Sequence, residues 1–337
     1  MIKFDEEKVH KDQENGLKLI PETEKIVDEI CERGYSSIIF MGIGGTYLYA
    51  SQMGHIFKQL SSKLPLHIEN ATDYLYEGNC HIDKDSVVAI ASVSGETKEL
   101  IQAVDKLHET GAKVIGYVEK EGSSLYKSVD YLVHTDGAEY YFWYTVLLRF
   151  MKNAGEFSDY DRFFQSLKNM PNTIVEVQKQ VDEQCRGYAE KHGDAEAYQD
   201  EPIQYLVGSG NLEDWAVCYG MCIMEEMQWM RTRPIPARHF FHGTLEVIER
   251  ETPLILIKGE DCTRPTMERV ENFAHRVSNK VNVFDTKELL LRDIPEEFRG
   301  ILSPIFARAM FQRLSVHLEN HRKHPLEIRR YYNCLSY

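Results

Sequence analysis

Short apolar runs alternate with amphipathic ones along most of the chain, and each change of period marks an element. Residues 86–91 are apolar and largely β-branched and follow the charged Asp83-Lys84-Asp85, which predicts a strand buried on both faces. Residues 98–107 carry the other period: Leu100, Ile101, Val104 and Leu107 form one helical stripe. The same alternation runs through the first half. Residues 12–33 have helical spacing, 35–41 read as a buried strand, and 47–60 as a helix. The stretch 66–70 is short and ambiguous, 113–118 and 131–134 read as strands, and 122–125 as a turn. The aromatic-rich stretch 139–152 predicts a helix packed in a core or a dimer interface.

Residues 160–200 are charged and helical, broken at Met170-Pro171-Asn172, where proline suits a first helical turn. The pattern then restarts. Residues 203–207 predict a strand, 208–211 a glycine-serine turn, and 212 to about 231 a helix; 254–259 and 281–284 predict further strands around a helix at 266–278. Strands alternating with helices imply parallel, doubly wound sheets. The expected fold is α/β, with domains at 1–170 and 171–337 that look like two copies of one unit. A length of 337 residues accommodates both.

Two loops carry candidate chemistry. The first is Ser92-Val93-Ser94-Gly95-Glu96-Thr97, where a buried strand turns into a helix. The first turn of a helix has unpaired N–H groups and the positive end of the dipole, so hydroxyls converging there form a phosphate cradle. Gly95 permits close approach of the backbone. One capping hydroxyl is common at such a turn; Ser92, Ser94 and Thr97 with Gly95 between them favour a ligand. The second loop is Gly42-Ile43-Gly44-Gly45-Thr46. It lacks the third glycine of a dinucleotide fingerprint, since Tyr47 stands there. Gly44 and Gly45 are instead placed to bring backbone N–H groups to a sugar, beside the Thr46 hydroxyl. In open parallel sheets both loops belong to the ligand-bearing edge.

Charge narrows the partners. With 39 basic against 53 acidic residues the net charge is −14, and no basic block occurs, so no nucleic-acid partner is expected. The seven cysteines are scattered with no CxxC pair, so no metal ribbon or redox dithiol is expected, and Cys218 and Cys222 read as small core residues. No stretch approaches a membrane span, and the first residues lack the apolar run of a signal peptide; the expected location is cytoplasmic.

Glu225 and Glu226 lie among Met221, Cys222, Met224, Met227, Trp229 and Met230, so one carboxylate is expected near buried surface, where burial suits it to proton transfer. Downstream, Arg238-His239-Phe240-Phe241-His242-Gly243 sets two histidines between aromatics.

These residues resemble a known family. Ser92–Thr97 resembles the sugar-phosphate motif of SIS (sugar isomerase) domains, and the glycine turn ending in Thr46 resembles their first loop. Met224-Glu225-Glu226-Met227-Gln228-Trp229, Phe240-Phe241-His242-Gly243, Thr263-Arg264-Pro265 with Glu268-Arg269, and His324-Pro325-Leu326-Glu327-Ile328-Arg329-Arg330-Tyr331-Tyr332 look like deglycases of fructosamine 6-phosphates. Those enzymes are related to the isomerase half of glucosamine-6-phosphate synthase. The resemblance implies two SIS subdomains, each a three-layer αβα unit, in a homodimer or higher oligomer with shared active sites. Its glutamate and histidine stand sixteen positions apart, which picks Glu226 as the base and His242 as the partner at the ring oxygen or leaving amine. It implies a sugar phosphate as substrate, held by Gly44, Gly45, Thr46, Ser92, Ser94, Gly95 and Thr97, with no cofactor and no metal. Three departures bear on specificity. Ala237-Arg238-His239 replaces the family's Ser-Gly-Glu, making Arg238 and His239 candidate specificity residues. Ile223 replaces the synthase's lysine, and the tail ends Cys334-Leu335-Ser336-Tyr337. An aldose–ketose or amino-sugar phosphate isomerase stays open beside a deglycase, and a non-catalytic sugar-phosphate sensor after both.

Overall fold

The computed structural model describes residues 1–61, 63–192, 202–332 and 334–335. The end of the charged 160–200 stretch, and Ser336 and Tyr337 of the tail, lie outside the described residues. The chain divides into two compact units: Glu7–Pro171, and Asn172–Tyr337 together with Met1–Glu6.

The first unit is built on five parallel strands: β1 (Ile38–Gly42), β2 (Leu66–Asn70), β3 (Val87–Ser92), β4 (Lys113–Val118) and β5 (Tyr131–Val133), in spatial order β2-β1-β3-β4-β5. Every residue of β1 and β3 is buried, as the continuous apolar runs require of strands covered on both faces. β2 lies at the edge and is only half-buried, which explains its ambiguous pattern. On one face, Ile39, Met41, Val88, Ile90 and Val114 pack with Leu100, Ala103, Val104 and Leu107 of the helix Lys98–Thr110. On the other lies the aromatic helix Glu139–Asn153, which is buried within the unit. Its Trp143 ring sits 5.0 Å from Phe40 and its Phe142 ring 5.7 Å from Tyr117. The long helix Glu6–Arg33 packs against it where Gly16 faces the Tyr141 ring; a Cβ there would fall 2.2 Å from that ring. Arg149 grips Asp28 through Nε (2.7 Å) and Nη2 (2.5 Å), and this hydrogen bond holds the Asp28 carboxyl below its ordinary range.

The second unit repeats the scheme with four parallel strands: β6 (Gln204–Gly208), β7 (Thr232–Pro236), β8 (Leu254–Lys258) and β9 (Val281–Asp285), ordered β7-β6-β8-β9. Met267, Val270 and Ala274 of the helix Arg264–Val277 cover one face with Tyr205, Val207, Leu254 and Leu256. The helix Glu296–Arg322 lies along the unit's core, its Phe311 ring 4.9 Å from Phe284. Two features depart from the sequence pattern. The helix expected from 212 to about 231 stops early and breaks into an α-helical turn, Glu213–Cys218, and a π-helical one, Tyr219–Glu225. The strand β7 follows just past the residues expected in that helix, where no strand was expected; its two prolines hide it from pattern reading, yet an edge strand tolerates them.

At the carboxyl ends of β8 and β9, Lys258 and Asp285 stand in register and nearly buried. Arg264 donates to both Asp285 oxygens (2.8 and 2.6 Å), and Lys258 lies 3.2 Å away. Burial alone would raise the Asp285 carboxyl; the Arg264 hydrogen bonds, the Lys287 amide and the two cations together hold it below the usual 3.8. A carboxyl lowered in the folded state contributes stability above its unfolded pKa and loses it as pH falls through the folded value. The urea midpoint is therefore expected to fall from about pH 6 to about pH 3, and less steeply in Arg264→Gln. Equal slopes in the two proteins would remove this cluster from the acid response.

Candidate active site

In the order β2-β1-β3-β4-β5 the chain leaves β1 toward one edge and β3 toward the other, so a crevice opens between their carboxyl ends. Both candidate loops of the first unit meet at that switch point. β1 runs into a turn so tight that a Cβ on Gly42 would lie 2.5 Å from the Tyr47 nitrogen. Gly44, at φ 57°, precedes the helix Gly45–Leu60. The Thr46 hydroxyl ties the turn, accepting from the Ile43 amide (3.3 Å) and donating to its carbonyl (3.1 Å).

β3 ends at Ser92, whose buried hydroxyl accepts from the Gly95 amide (3.0 Å). Ser94 is exposed and its hydroxyl accepts from the Glu96 amide (3.2 Å). Thr97 is the N-cap residue of the helix Lys98–Thr110 but its hydroxyl makes no capping bond. That hydroxyl, the Ser94 hydroxyl and the first amides of the helix are the groups the loop offers to an anion. Sequence reasoning missed the brace beneath the loop. Gly95 is buried at φ +62°, and a Cβ there would fall 1.9 Å from the Ser123 hydroxyl. Its carbonyl accepts from the Leu125 amide (3.1 Å). Glu96 turns to the same segment, accepting from the Ser124 hydroxyl (2.8 Å) and amide (3.1 Å), and these bonds lower its carboxyl. The Gly122-Ser123-Ser124 turn was the available signal.

The second unit has the same strand order and hence its own crevice, between β6 and β8. That crevice holds an anion belonging to the protein. The Asp261 carboxylate accepts from the Asn211 amide (3.1 Å), the Thr263 amide (2.9 Å) and the Thr263 hydroxyl (2.5 Å). Gly210 stands at φ +55°, and a Cβ on it would fall 2.1 Å from an Asp261 oxygen. The glycine-serine turn 208–211 thus closes on an internal carboxylate.

Glu225 and Glu226 close the π-helical turn, with the Glu226 amide bonded to the Met221 carbonyl five residues back (3.0 Å). Such turns recur at functional sites because they redirect side chains. Here the two carboxylates diverge. Glu225 accepts from the Thr232 hydroxyl (2.6 Å) and amide (3.2 Å), fastening it to β7. Glu226 accepts from Arg329 Nε (2.8 Å) in the tail. His242 is exposed on the turn after the short helix Ala237–Phe240, with its amide on the His239 carbonyl (2.9 Å). Among the described residues no hydrogen bond or ion pair joins His242 to Glu226. His239 is exposed. Arg238 forms an ion pair with the buried Glu213, so its charge is already met. Among the described residues no cysteine forms a disulfide; Cys218 is buried and Cys222 half-buried.

Comparison with known proteins adds four findings. Residues 33–153 match the SIS domain. A fructosamine deglycase of Bacillus subtilis (strain 168) is 24% identical over 322 residues, 93% of this chain and 96% of that protein. A fructoselysine 6-phosphate deglycase of Escherichia coli (strain K12) is 23% identical over 325 residues, 94% of this chain and 91% of that one. Among solved structures, a Bacillus subtilis protein described as a phosphosugar isomerase superposes with a TM-score of 0.89 at 23% identity, over 96% of this chain and 99% of that one. That likeness establishes the fold, two α/β units each built on a parallel sheet.

Proposed function

We propose that this SIS-family enzyme is a sugar-phosphate deglycase, releasing a free amine from an amine-linked hexose 6-phosphate. One observation carries the reading: at its switch point the first unit has an uncapped helix start with the Ser94 and Thr97 hydroxyls beside it, while the same place in the second unit is filled by Asp261. The relatives' names supply the substrate class. In this reading the subdomains are 1–170 and 171–337. The phosphate is held by Ser94, Thr97 and the first amides of the helix Lys98–Thr110, with Ser92 shaping the loop through the Gly95 amide and Gly44, Gly45 and Thr46 at the sugar.

The chemistry follows from a ring-opened ketosamine. Glu226 removes the proton from the amine-bearing carbon beside the carbonyl, giving an enaminol. Reprotonation at the former carbonyl carbon gives an imine, and water cleaves it to a hexose 6-phosphate and the amine. His242 moves protons at the ring oxygen or nitrogen and is supplied by the neighbouring subunit of a homodimer. Proton transfer between adjacent carbons needs a positioned base, so the route uses only these side chains. His239, exposed and without an ion pair among the described residues, reads the amine portion; Arg238 contributes through its pairing with Glu213. The enzyme works in the cytoplasm; no helix among the described residues is long and apolar enough to cross a membrane.

The test is a coupled assay for hexose 6-phosphate release across a panel of 6-phosphorylated amine–sugar conjugates. Fructoselysine 6-phosphate is included, with fructose 6-phosphate plus ammonia as a separate arm. Release from one conjugate is the expected result. Interconversion of hexose 6-phosphates with no amine substrate would move the assignment to an isomerase. Thermal stabilisation by sugar phosphates without turnover would move it to a sensor.

A further inference from the structure

The C-terminal tail is fastened to the short segment that carries Glu226, and it brings a cation to that carboxylate. Four contacts make the fastening. The Gln228 amide nitrogen, on a fully buried side chain, donates to the His324 carbonyl (2.8 Å). Arg322 Nη2 donates to the Gln228 carbonyl (3.3 Å). The His324 and Trp229 rings lie edge to face at 4.3 Å, and Arg330 lies 4.0 Å over the Trp229 ring. Trp229 itself adopts φ +56°, a left-handed conformation that costs a non-glycine residue free energy and persists only where surroundings fix it. The tail supplies part of that surrounding, beside the bond from the Trp229 amide to the Glu225 carbonyl (3.2 Å).

Arg329 is set within this frame. Its Nε donates to Glu226 Oε1 (2.8 Å), and its Nη1 donates to the tail's own Leu326 (2.5 Å) and Ile328 (3.1 Å) carbonyls. The Arg329 and Glu226 side chains are only 18% and 27% exposed. A guanidinium held by three acceptors is a fixed donor, and a charge-assisted bond to one carboxylate oxygen limits that carboxylate's rotation. Glu225 has a separate anchor on Thr232, so the restraint falls on Glu226 alone.

We infer that Arg329 is the positioning residue for Glu226. Resting on the reading of Glu226 as base, it pins Oε1 and leaves Oε2 to meet the carbon-bound proton. Proton abstraction requires the reacting atoms within about 3.5 Å in the right alignment, so loss of the pin lowers kcat rather than raising KM.

The experiment measures kcat and KM separately for Arg329→Met, Arg329→Ala and Arg329→Lys, beside Glu226→Gln, on the conjugate that the wild-type enzyme turns over. Arg329→Met is expected to lose about 10- to 100-fold in kcat with little change in KM. Arg329→Lys should regain part of the loss, and added ethylguanidinium should restore part of the activity of Arg329→Ala. A merely structural tail contact would lower thermal stability without rescue by the cation. Wild-type kcat in Arg329→Met, with Glu226→Gln inactive, overturns the inference and leaves the base intact. Full activity in Glu226→Gln overturns the reading of the base itself. The fastening has a second readout that needs no turnover. Trypsin cleavage in the tail should quicken about two- to five-fold in Glu226→Ala, the scale of a partly exposed ion pair. Unchanged cleavage there means that Arg329 and Glu226 are not coupled, which also overturns the inference.

Discussion

Replacing Glu226 by glutamine is expected to lower kcat by about 10²- to 10⁴-fold, the usual contribution of a positioned general base, with KM nearly unchanged. Glutamine has the same shape and its carbonyl oxygen still accepts from Arg329, so the tail contact survives while the basic oxygen is lost. The neighbouring substitution Glu225→Gln is the control. Glu225 accepts from the Thr232 amide and hydroxyl, and a glutamine oxygen serves that role, so kcat should stay within about two-fold of wild type. Steady-state kinetics of the pair decides between adjacent carboxylates that differ little in sequence context. A collapse in Glu225→Gln with Glu226→Gln active would reverse the assignment. A parallel rise in KM without loss of kcat would make Glu226 a binding group instead.

Replacing Gly95 by alanine is expected to abolish sugar-phosphate binding at millimolar concentration and to lower the melting temperature. Two costs combine at this position. The backbone stands at φ +62°, which penalises an L side chain by about 1–2 kcal/mol. The added Cβ would also lie 1.9 Å from the Ser123 hydroxyl, and forcing an atom into packed structure costs about 1–3 kcal/mol more. The loop can relieve the clash only by lifting off Ser123, which moves Ser94, Thr97 and the helix amides. Gly34→Ala isolates the backbone cost, since Gly34 has φ +84° and open space where its Cβ would go. Ser94→Ala isolates the binding role, because that exposed hydroxyl can be removed without disturbing packing. Thermal-shift titration with glucose 6-phosphate and fructose 6-phosphate reads all three. Gly34→Ala should bind normally with a small loss of stability, and Ser94→Ala should bind weakly with none. Undiminished binding by Gly95→Ala and Ser94→Ala would place the phosphate elsewhere.

The fold was legible in the sequence wherever local pattern and tertiary position agree. Continuous apolar runs announced β1, β3, β4, β6 and β8 because strands covered on both faces leave no polar side to dilute the signal. The stripe Leu100, Ile101, Val104 and Leu107 announced the helix after β3 because one face of it meets the sheet. The glycines at 42, 95 and 210 marked turns where a Cβ would meet packed atoms, and Gly44 one where φ is positive. The pattern failed where an element breaks its own rules. β7 contains two prolines that only an edge position allows. The helix Glu296–Arg322 has apolar residues on every side, so its period carries no face, and it went unplaced.

By itself the sequence determined the alternation of strands and helices, the two loops rich in glycine and hydroxyls, and a candidate carboxylate pair. Only the tertiary structure decided how these are used. It brought the loops at 42–46 and 92–97 to one crevice, because strand order is a property of non-local pairing that no local pattern encodes. It filled the matching crevice of the second unit with Asp261, fifty residues from the amide it receives. It also separated Glu225 from Glu226, because a π-helical turn sends one carboxylate to β7 and the other to a tail arginine 103 residues away. Contacts across such distances depend on where the chain returns after folding, and that is fixed by packing rather than by the residues on either side.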